Sequence, residues 1–507
     1  MRNLFYLTMV MALITMLLFS WACEKDDDGV TNESTALVVP DDFGSIQEAI
    51  DASENEDIIT VKPGVYRENI NFNGKEVTVQ STNPEDNEVV ESTIIDGQEN
   101  DCVVKIENGE GEGTVLSGFT IKNGSARDGA GIYIDNYSSP TIKYNIITEN
   151  ICGRGGGGGA FVTNGSSPKF KYNIFDNNIN GRTTSRSGLG LFVRNESDVE
   201  IIDNEFINHD GCRGVIAIGL GSDDNSNATI SNNKIEDNIS EYGTGGIAVN
   251  GSTATISENI INNNTGGGSG VDAGGAFSIR WEANVDITDN EITDNWATNA
   301  GAVAVGGESV ATITNNIISG NSSGEEGTLN GTGGGVFIDD ATATISSNSI
   351  TNNTAWNTNT GGGGIYVRNS VVTIENNDIE NNRATRSGGG IYLRGHGTTS
   401  TLDATVINNN IAGNESKGHR SANGGGINIG FIQSATVYGN TLTDNYAEQY
   451  GGGIYIDEGT PIFGENNVEW NRMNYPPETE IYNNYDNNTH GDDEFHGAHV
   501  FFTDFSK

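Results

Sequence analysis

Hydrophobic and polar residues alternate along most of this chain in short runs that end in asparagine or glycine. The pattern Ala-Thr-Ile-x-x-Asn-x-Ile-x-x-Asn occurs cleanly at residues 228–238, 254–264, 311–321 and 343–353. Alternation with a period of two predicts β-strands with one buried face, whereas an amphipathic helix needs a period of about 3.6. We therefore expect a fold of short β-strands joined by tight turns.

The pattern repeats at intervals of roughly 30 residues, a length typical of solenoids. Its first asparagine recurs at Asn145, Asn173, Asn204, Asn233, Asn259, Asn290, Asn316, Asn348, Asn377, Asn409, Asn440 and Asn466. The position five residues later is also asparagine in these copies, apart from His209. Asparagine tolerates the left-handed backbone of a tight bend, and its amide can bond to the same amide one coil away. Both columns are therefore predicted to be structural ladders.

Glycine clusters precede a further strand in each repeat, as at residues 362–367, 388–393 and 451–456. Three short strands per repeat exclude helical solenoids, and propeller blades need about 40 to 50 residues. The pattern predicts an all-β parallel β-helix, a solenoid with three strands per coil, over residues 37–472. Ser45, followed by Glu48, begins a short capping helix at residues 45–52. The aromatic segment 473–507 is predicted to be a C-terminal cap.

The first 22 residues have the layout of a signal peptide: Arg2, an apolar run, and small residues before Cys23. This layout resembles the lipobox of bacterial lipoproteins, which implies that Cys23 carries the lipid. Residues 23–36 form an acidic linker, and its run from Glu24 to Asp28 resembles the surface-export signal of Bacteroidetes lipoproteins. These features predict a lipoprotein of the outer membrane that is exposed at the cell surface or extracellular. Its contact with the membrane would be through the lipid anchor only.

The composition is acidic and rich in glycine. The formal net charge of −43 disfavours nucleic acid and anionic membranes as partners. Apart from Cys23, the cysteines are Cys102, Cys152 and Cys212, an odd number without metal-ligand spacing, so free buried thiols are expected. No metal site is predicted, although loose calcium binding by acidic loops stays open as the one cofactor.

Several segments resemble the pectin lyase-like superfamily of right-handed parallel β-helices. Residues 39–50 and 63–68 are similar to the first coils of pectin methylesterases, and the glycine and asparagine repeats resemble polymorphic outer membrane adhesins. This resemblance implies a right-handed coil. The catalytic motifs of the enzymes in the superfamily are incomplete here. The sequence Gly395-His396-Gly397 matches one polygalacturonase motif, but the partners of that motif are missing.

The strand after each glycine cluster alternates, so its aliphatic residues are predicted to face the core and their neighbours to face solvent. The outward column contains aromatic residues, followed two positions later by Asp339, Arg368 and Arg394 and then by His396. These four residues are the catalytic candidates. The predicted ligand-binding residues are Phe337, Tyr366, Tyr392, Trp356, Arg383 and Arg386. Arginine forks bind carboxylates, so an acidic polysaccharide is the expected ligand.

A second, looser cluster contains Arg182, Arg186, Arg194 and Arg213 with Phe192. The first choice of function is binding, with or without cleavage, of an extracellular polysaccharide by a monomer. If the protein is an enzyme, the fold suggests a polysaccharide lyase or a glycoside hydrolase. A non-catalytic adhesin or surface-structural protein that binds a host or matrix surface is the alternative. Ice binding or a passive spacer comes third, since threonines form a column on the Ala-Thr-Ile strands.

Overall fold

The computed structural model describes residues 37–181, 188–211, 213–268, 273–326, 331–357, 361–395, 402–419, 421–430, 434–457, 461–469, 471–473 and 500–502. The predicted signal peptide, Cys23 and the acidic linker lie outside these residues. So do Cys212, Arg182, Arg186, His396 and all of the predicted C-terminal cap except Met473 and residues 500–502.

Three long parallel sheets make up the described part of the chain. Sheet 1 has 16 strands: Leu37–Val39, Ile58–Val61, Thr78–Ser81, Val115–Ser117, Thr141–Lys143, Lys169–Lys171, Asp198–Ile202, Asn227–Ser231, Thr253–Ser257, Asn284–Thr288, Val310–Thr314, Thr342–Ser346, Val371–Glu375, Asp403–Ile407, Ser434–Tyr438 and Ile462–Phe463. Sheet 2 has 15 strands: Gly64–Tyr66, Thr93–Asp96, Thr120–Lys122, Ile146–Thr148, Ile174–Asp176, Glu205–Ile207, Lys234–Glu236, Ile260–Asn262, Glu291–Thr293, Ile317–Ser319, Ser349–Thr351, Asp378–Glu380, Asn410–Ala412, Thr441–Thr443 and Asn467–Glu469.

Sheet 3 contains the strands that follow the glycine clusters. Its 15 strands are Ile70–Asn71, Val104–Ile106, Ile132–Ile134, Ala160–Val162, Leu191–Val193, Ile216–Ile218, Ile247–Asn250, Phe277–Arg280, Val303–Gly306, Val336–Asp339, Ile365–Arg368, Ile391–Arg394, Ile427–Gly430, Ile454–Ile456 and Val500–Phe502. Each strand pairs with the equivalent strand of the next coil, so one coil contributes one strand to each sheet. This arrangement confirms the predicted parallel β-helix with three main strands per coil.

Two smaller parallel sheets lie between sheets 2 and 3 along the chain. One has three strands, Ser125–Asp128, Ile151–Gly156 and Ile179–Asn180. The other, called the short sheet below, has nine strands of two residues each: Ile239–Ser240, Thr265–Gly266, Trp296–Ala297, Ser322–Ser323, Thr354–Ala355, Arg383–Ala384, Glu415–Ser416, Tyr446–Ala447 and Arg472–Met473. Two-residue strands are too short for a visible alternation, so the sequence pattern did not predict this fourth face.

The predicted capping helix is present as α1, Ile46–Ala52. The Ser45 side chain accepts a hydrogen bond from the Glu48 backbone N–H, and Ile46, Ala49 and Ile50 face the core. A second helix, α2, runs from Asn87 to Ser92, where the pattern predicted none. The Asp86 side chain caps its N-terminus, and at six residues it is too short for a helical period to show in the sequence.

The aliphatic column of sheet 3 faces the core, as predicted. The exposed fraction is at most 2% for Ile134, Val162, Val193, Val249, Ile279, Val305, Ile338, Val367, Leu393, Ile429 and Ile456. Cys102 and Cys152 are buried and form no disulfide. Of the helices in the described residues, neither is long and apolar enough to cross a membrane.

Both asparagine columns form hydrogen-bonded stacks beneath the turns that flank sheet 2. Asn233 is typical: its Nδ2 donates to Oδ1 of Asn259, 2.9 Å away in the next coil, and to the carbonyl of Ile201. The left-handed conformation belongs to the preceding residue, such as Asn232, and not to the stacked asparagine itself. The bend and the ladder are therefore made by two adjacent residues, because an inward-pointing amide needs an extended backbone after the bend.

Candidate functional site

The outward aromatic side chains of sheet 3 are buried, contrary to the prediction that they face solvent. Phe337, Tyr366 and Tyr392 stack with ring centroids 5.3 and 5.1 Å apart and form a second apolar cluster with Ala300 and Ala304. The backbone of the glycine clusters also approaches the aromatic residue of the strand that follows. A Cβ built on Gly388 would lie 2.7 Å from Cβ of Tyr392. Alternation predicts the side of the sheet, but it does not predict what packs against that side.

Asp339 and Arg368 form an ion pair at the ends of neighbouring strands. Nε of Arg368 donates to Oδ1 of Asp339 at 2.6 Å, and Nη2 donates to Oδ2. The guanidinium also lies over the Phe337 ring, 5.7 Å from its centroid. The hydrogen bond to Asp339 raises the pKa of Arg368 despite partial burial. The two predicted catalytic residues are thus brought together as a salt bridge, which occupies one edge of the Arg368 fork.

Arg394 lies one coil beyond Arg368 and in register with it. Its positive charge acts on Tyr366, whose pKa is raised by burial and lowered in part by Arg394 and Arg368. Burial also raises the pKa of Tyr392, and this effect is opposed by Arg394 and Arg386. Arg386 therefore belongs to the same neighbourhood. The structure brings together Asp339, Arg368, Arg394 and Arg386 around the buried rings, while His396 lies outside the described residues.

The line of cations continues to residues that the sequence analysis did not connect with it. Arg280 follows Ile279 as Arg368 follows Val367, and the pairings Ile279–Val305 and Val305–Ile338 place Arg280 on the same outer line as Asp339. Arg194 follows Val193 in the same way, three coils before Arg280. We call Arg194, Arg280, Arg368 and Arg394 the arginine row. Arg280 could have been identified in the sequence, because it directly follows Ile279, the inward aliphatic residue of its repeat.

Arg280 is the most enclosed member of the row. Its Nε and Nη2 lie 3.2 and 3.0 Å from Oδ1 of Asn250, and its guanidinium lies 4.5 Å from the centroid of the Trp281 ring. Burial, with a smaller contribution from Arg213, lowers the pKa of Arg280 to about 10. The Trp281 side chain is 42% exposed, and its backbone has a φ of 59°, which is unusual for a bulky residue. An exposed indole thus borders the row, which the sequence analysis missed.

The looser predicted cluster joins this face in part. The Arg194 guanidinium lies 5.1 Å from the Phe161 ring centroid and 6.0 Å from that of Phe192. Phe192 itself is buried rather than exposed. Arg213 lies close enough to Arg280 to affect its pKa. Arg194 and Arg213 therefore extend the basic face by several coils.

Trp356 and Arg383 lie elsewhere, on the outer face of the short sheet. Arg383 begins a strand of that sheet, and its guanidinium lies 5.0 Å from the centroid of the Trp356 ring. The predicted ligand-binding residues are therefore divided between two faces. The division arises because the chain turns between the short sheet and sheet 3.

Charge is distributed unevenly over the outer faces. Between Arg194 and Arg394, Asp339 is the only acidic residue on the outer line of sheet 3, whereas Glu107, Asp135 and Asp457 occupy the equivalent position nearer its two ends. Sheets 1 and 2 carry many outward acids: Asp176, Asp198, Glu200, Glu205, Glu236, Asp286, Glu291, Glu375, Asp378, Glu380 and Asp403. Among the residues that the structure describes, no three or more acids, histidines or cysteines are placed to hold a metal ion.

Comparisons with known proteins identify the architecture. A search of the curated proteins gave no match. Among solved structures, a mannuronic acid specific polysaccharide family 6 lyase from human gut microbiota aligns at 15% identity, covering 76% of this chain and 81% of the lyase, with a TM-score of 0.39. The A-module of the Azotobacter vinelandii mannuronan C-5 epimerase AlgE6 aligns at 12% identity, covering 85% of this chain and 95% of the module, with a TM-score of 0.28.

A mutant of the family 6 alginate lyase AlyGC aligns at 10% identity, with a TM-score of 0.29 and coverage of 85% and 89%. Likeness at this level carries no inference about substrate or catalysis. The family model described as right handed beta helix region matches residues 179–280 and 272–500, which together are more than half of the chain. The chain therefore belongs to the right-handed β-helix family.

Proposed function

We propose that this protein is a surface lipoprotein whose β-helix binds an acidic polysaccharide along the arginine row. The observation that carries the proposal is the alignment of Arg194, Arg280, Arg368 and Arg394 on one outer line of sheet 3, in a chain with a net charge of −43. Between Arg194 and Arg394 this line carries four arginines and one acid, and such a basic stretch on an acidic solenoid attracts a linear polyanion laid along the axis.

The geometry of the row fits carboxylates. Arg368 and Arg394 are neighbours in one ladder, so their Cα atoms are about 5 Å apart. Arg280 lies three coils away, beside the exposed face of Trp281. Guanidinium forks bind carboxylates, and an indole provides a flat apolar surface for a sugar ring. Together these groups supply the two interactions that a uronate polymer needs.

Binding is favoured over cleavage by the chemistry of the described residues. Removal of a proton next to a uronate carboxylate needs a base that is unprotonated at neutral pH. Arginine stays protonated, and burial raises the pKa of both Tyr366 and Tyr392, so neither phenol is easily deprotonated. The pair with Asp339 further holds Arg368 as a fixed cation.

The test is a binding titration of the purified protein with polymannuronate and polygalacturonate. Arg394→Ala and Arg280→Ala should each weaken binding about tenfold, and added NaCl should weaken binding by the wild-type protein. Lys234→Ala removes the same charge from the outer face of sheet 2 and should have little effect. Equal loss in Lys234→Ala and Arg394→Ala would show that binding follows net charge alone. Absence of binding to any uronate polymer would overturn the proposal and favour the adhesin alternative.

The lipoprotein part of the proposal has its own test. Metabolic labelling with a fatty acid in a bacterial host should label the wild-type protein but not Cys23→Ala. Protease treatment of intact cells should degrade the labelled protein if it is exposed at the surface. Labelling that persists in Cys23→Ala would place the lipid elsewhere or show a different anchor.

A further inference from the structure

A separate groove lies on the outer face of the short sheet, with a volume of about 570 Å³. Its floor is a row of residues that are neighbours in the ladder: Thr354, Arg383, Glu415 and Tyr446. Each is the outward residue of a two-residue strand whose second residue is buried. The groove therefore runs along the solenoid axis over four coils, a length of about 14 Å.

Two further rows form the walls of this groove. The residues two positions before the floor are Asn352, Asn381, Gly413 and Asp444, which sit in left-handed turns. The Asn381 side chain packs against the backbone of Gly413, where an added Cβ would lie 2.5 Å from Oδ1 of Asn381. The opposite wall includes Lys417, two positions after Glu415. Trp356, two positions after Thr354, borders the groove through its ring, which contacts the guanidinium of Arg383.

The charges within the groove compensate one another. Nε of Arg383 lies 3.8 Å from Oε2 of Glu415, and Nζ of Lys417 lies 3.4 Å from Oε1. Asp444 supplies a second carboxylate on the wall. Two cations face two acids, so the groove carries no net charge, in contrast to the arginine row. It has no electrostatic preference for a polyanion.

One aromatic ring lies near each end of the groove, and a cationic side chain contacts each ring. Arg383 lies over Trp356 at 5.0 Å, and Nζ of Lys417 lies 5.9 Å from the centroid of the Tyr446 ring. Trp356 and Tyr446 are both partly exposed. Paired charged side chains, amides and flat rings in one groove are the groups that bind vicinal hydroxyls and stack on the apolar faces of sugars.

We propose that this groove is a second carbohydrate-binding site that takes a short stretch of a neutral glycan. Trp356 and Tyr446 would stack on sugar rings, while Arg383, Glu415 and Lys417 exchange hydrogen bonds with hydroxyl groups between them. The site is independent of the arginine row because it lies on a different sheet and differs from the row in net charge.

The experiment is a binding screen of the purified protein against neutral glucan, mannan and galactan oligosaccharides, with oligouronates alongside, at low and high NaCl. A neutral oligosaccharide should bind with an affinity that changes little with salt. Trp356→Ala should weaken this binding about tenfold and Trp356→Phe should largely preserve it, because phenylalanine keeps a stacking surface. Tyr242→Ala is the matched control, since Tyr242 is 53% exposed and lies outside the groove.

The outcomes separate this site from the arginine row. Loss of neutral-glycan binding in Trp356→Ala would support the groove, provided that any uronate binding seen in the wild-type protein is unchanged. This holds whether or not the row binds uronates. Binding of oligouronates alone, or neutral-glycan binding that survives both Trp356→Ala and Tyr446→Ala, would overturn the proposal. Thermal melting of each variant shows whether a loss of neutral-glycan binding reflects unfolding. If Trp356→Ala is unfolded, neutral-glycan binding by Trp356→Phe is the deciding measurement.

Discussion

The imidazole of His209 replaces an asparagine amide in the second ladder, with Nδ1 3.0 Å from Oδ1 of Asn238 and Nε2 3.3 Å from Nδ2 of Asn178. A neutral ring fits this position, because it can donate to one neighbour and accept from the other. A protonated ring would place two donors where the ladder supplies one acceptor and one donor. The ladder therefore selects the neutral form.

This position predicts a pH-dependent stability. Burial lowers the pKa of His209 to about 4, below its usual value of 6.5. Between these two values the unfolded chain binds a proton that the folded chain does not, so stability is complete above about pH 6.5 and falls as the pH drops towards 4. The loss is on the order of 3 kcal/mol. His209→Asn, which restores the residue of the other copies, should melt with a smaller decrease between pH 7 and pH 4.5.

The measurement is the thermal midpoint of both proteins across this pH range. Carboxylates elsewhere titrate in both, so the difference between the two curves isolates His209. Parallel curves would mean that His209 is accessible to protons in the folded state.

Asp339 is expected to limit the charge of the arginine row. Asp339→Asn keeps an oxygen that accepts from Arg368 but removes the negative charge, so affinity for a uronate polymer should rise several-fold. Stability should fall by about 1 kcal/mol because a charged hydrogen bond becomes neutral. The check is a binding titration with Asp286→Asn as the control for net charge, since Asp286 lies on sheet 1. Equal gains in both variants would contradict a specific role for Asp339.

The asparagine ladder should respond strongly to a single truncation. Asn316 donates from Nδ2 to the carbonyl of Ile287 and to Oδ1 of Asn348, and its own Oδ1 accepts from Asn290. Asn316→Ala leaves these buried groups unpaired, and we expect a loss of about 3 kcal/mol or more. Asn284→Ala, at an exposed position on sheet 1, should cost little. Denaturant melts of the two variants test the difference, and equal midpoints would argue against the ladder as a source of stability.

The glycine clusters are expected to be sterically required where they cover the aromatic column. Gly388 has a φ of +64°, and a Cβ there would lie 2.5 Å from the Ile391 carbonyl oxygen. Gly388→Ala should therefore destabilise the protein by about 2 kcal/mol or more. Gly221→Ala is the control, because nothing lies within 4 Å of a Cβ at Gly221. Near-ultraviolet circular dichroism should also change in Gly388→Ala, since Tyr392 packs against that backbone. An unchanged spectrum and melt would show that the loop relaxes freely.

Much of the fold could be predicted because the same pattern of strand and turn residues occurs in each repeat. Period-two alternation identified the strands, and the inward column from Ile134 to Ile456 is buried. Ser45 and Glu48 marked the capping helix, since a helix cap is a local hydrogen bond between residues close in sequence. The helix Asn87–Ser92 and the two-residue strands of the short sheet were not predicted, because neither is long enough to complete a period.

The identity of the residues that face the core, and of those that stack from coil to coil, follows from the amino-acid sequence, because both depend on local backbone geometry repeated at a near-constant interval. What packs against an outward residue depends on the three-dimensional fold. In the fold Tyr366 is buried between Phe337 and Tyr392, Arg368 is paired with Asp339, Arg280 lies in line with that pair, and Trp356 and Arg383 lie on another face. These relationships join residues about one or several coils apart, so they depend on register and on the path of the loops, which alternation along a single strand does not contain.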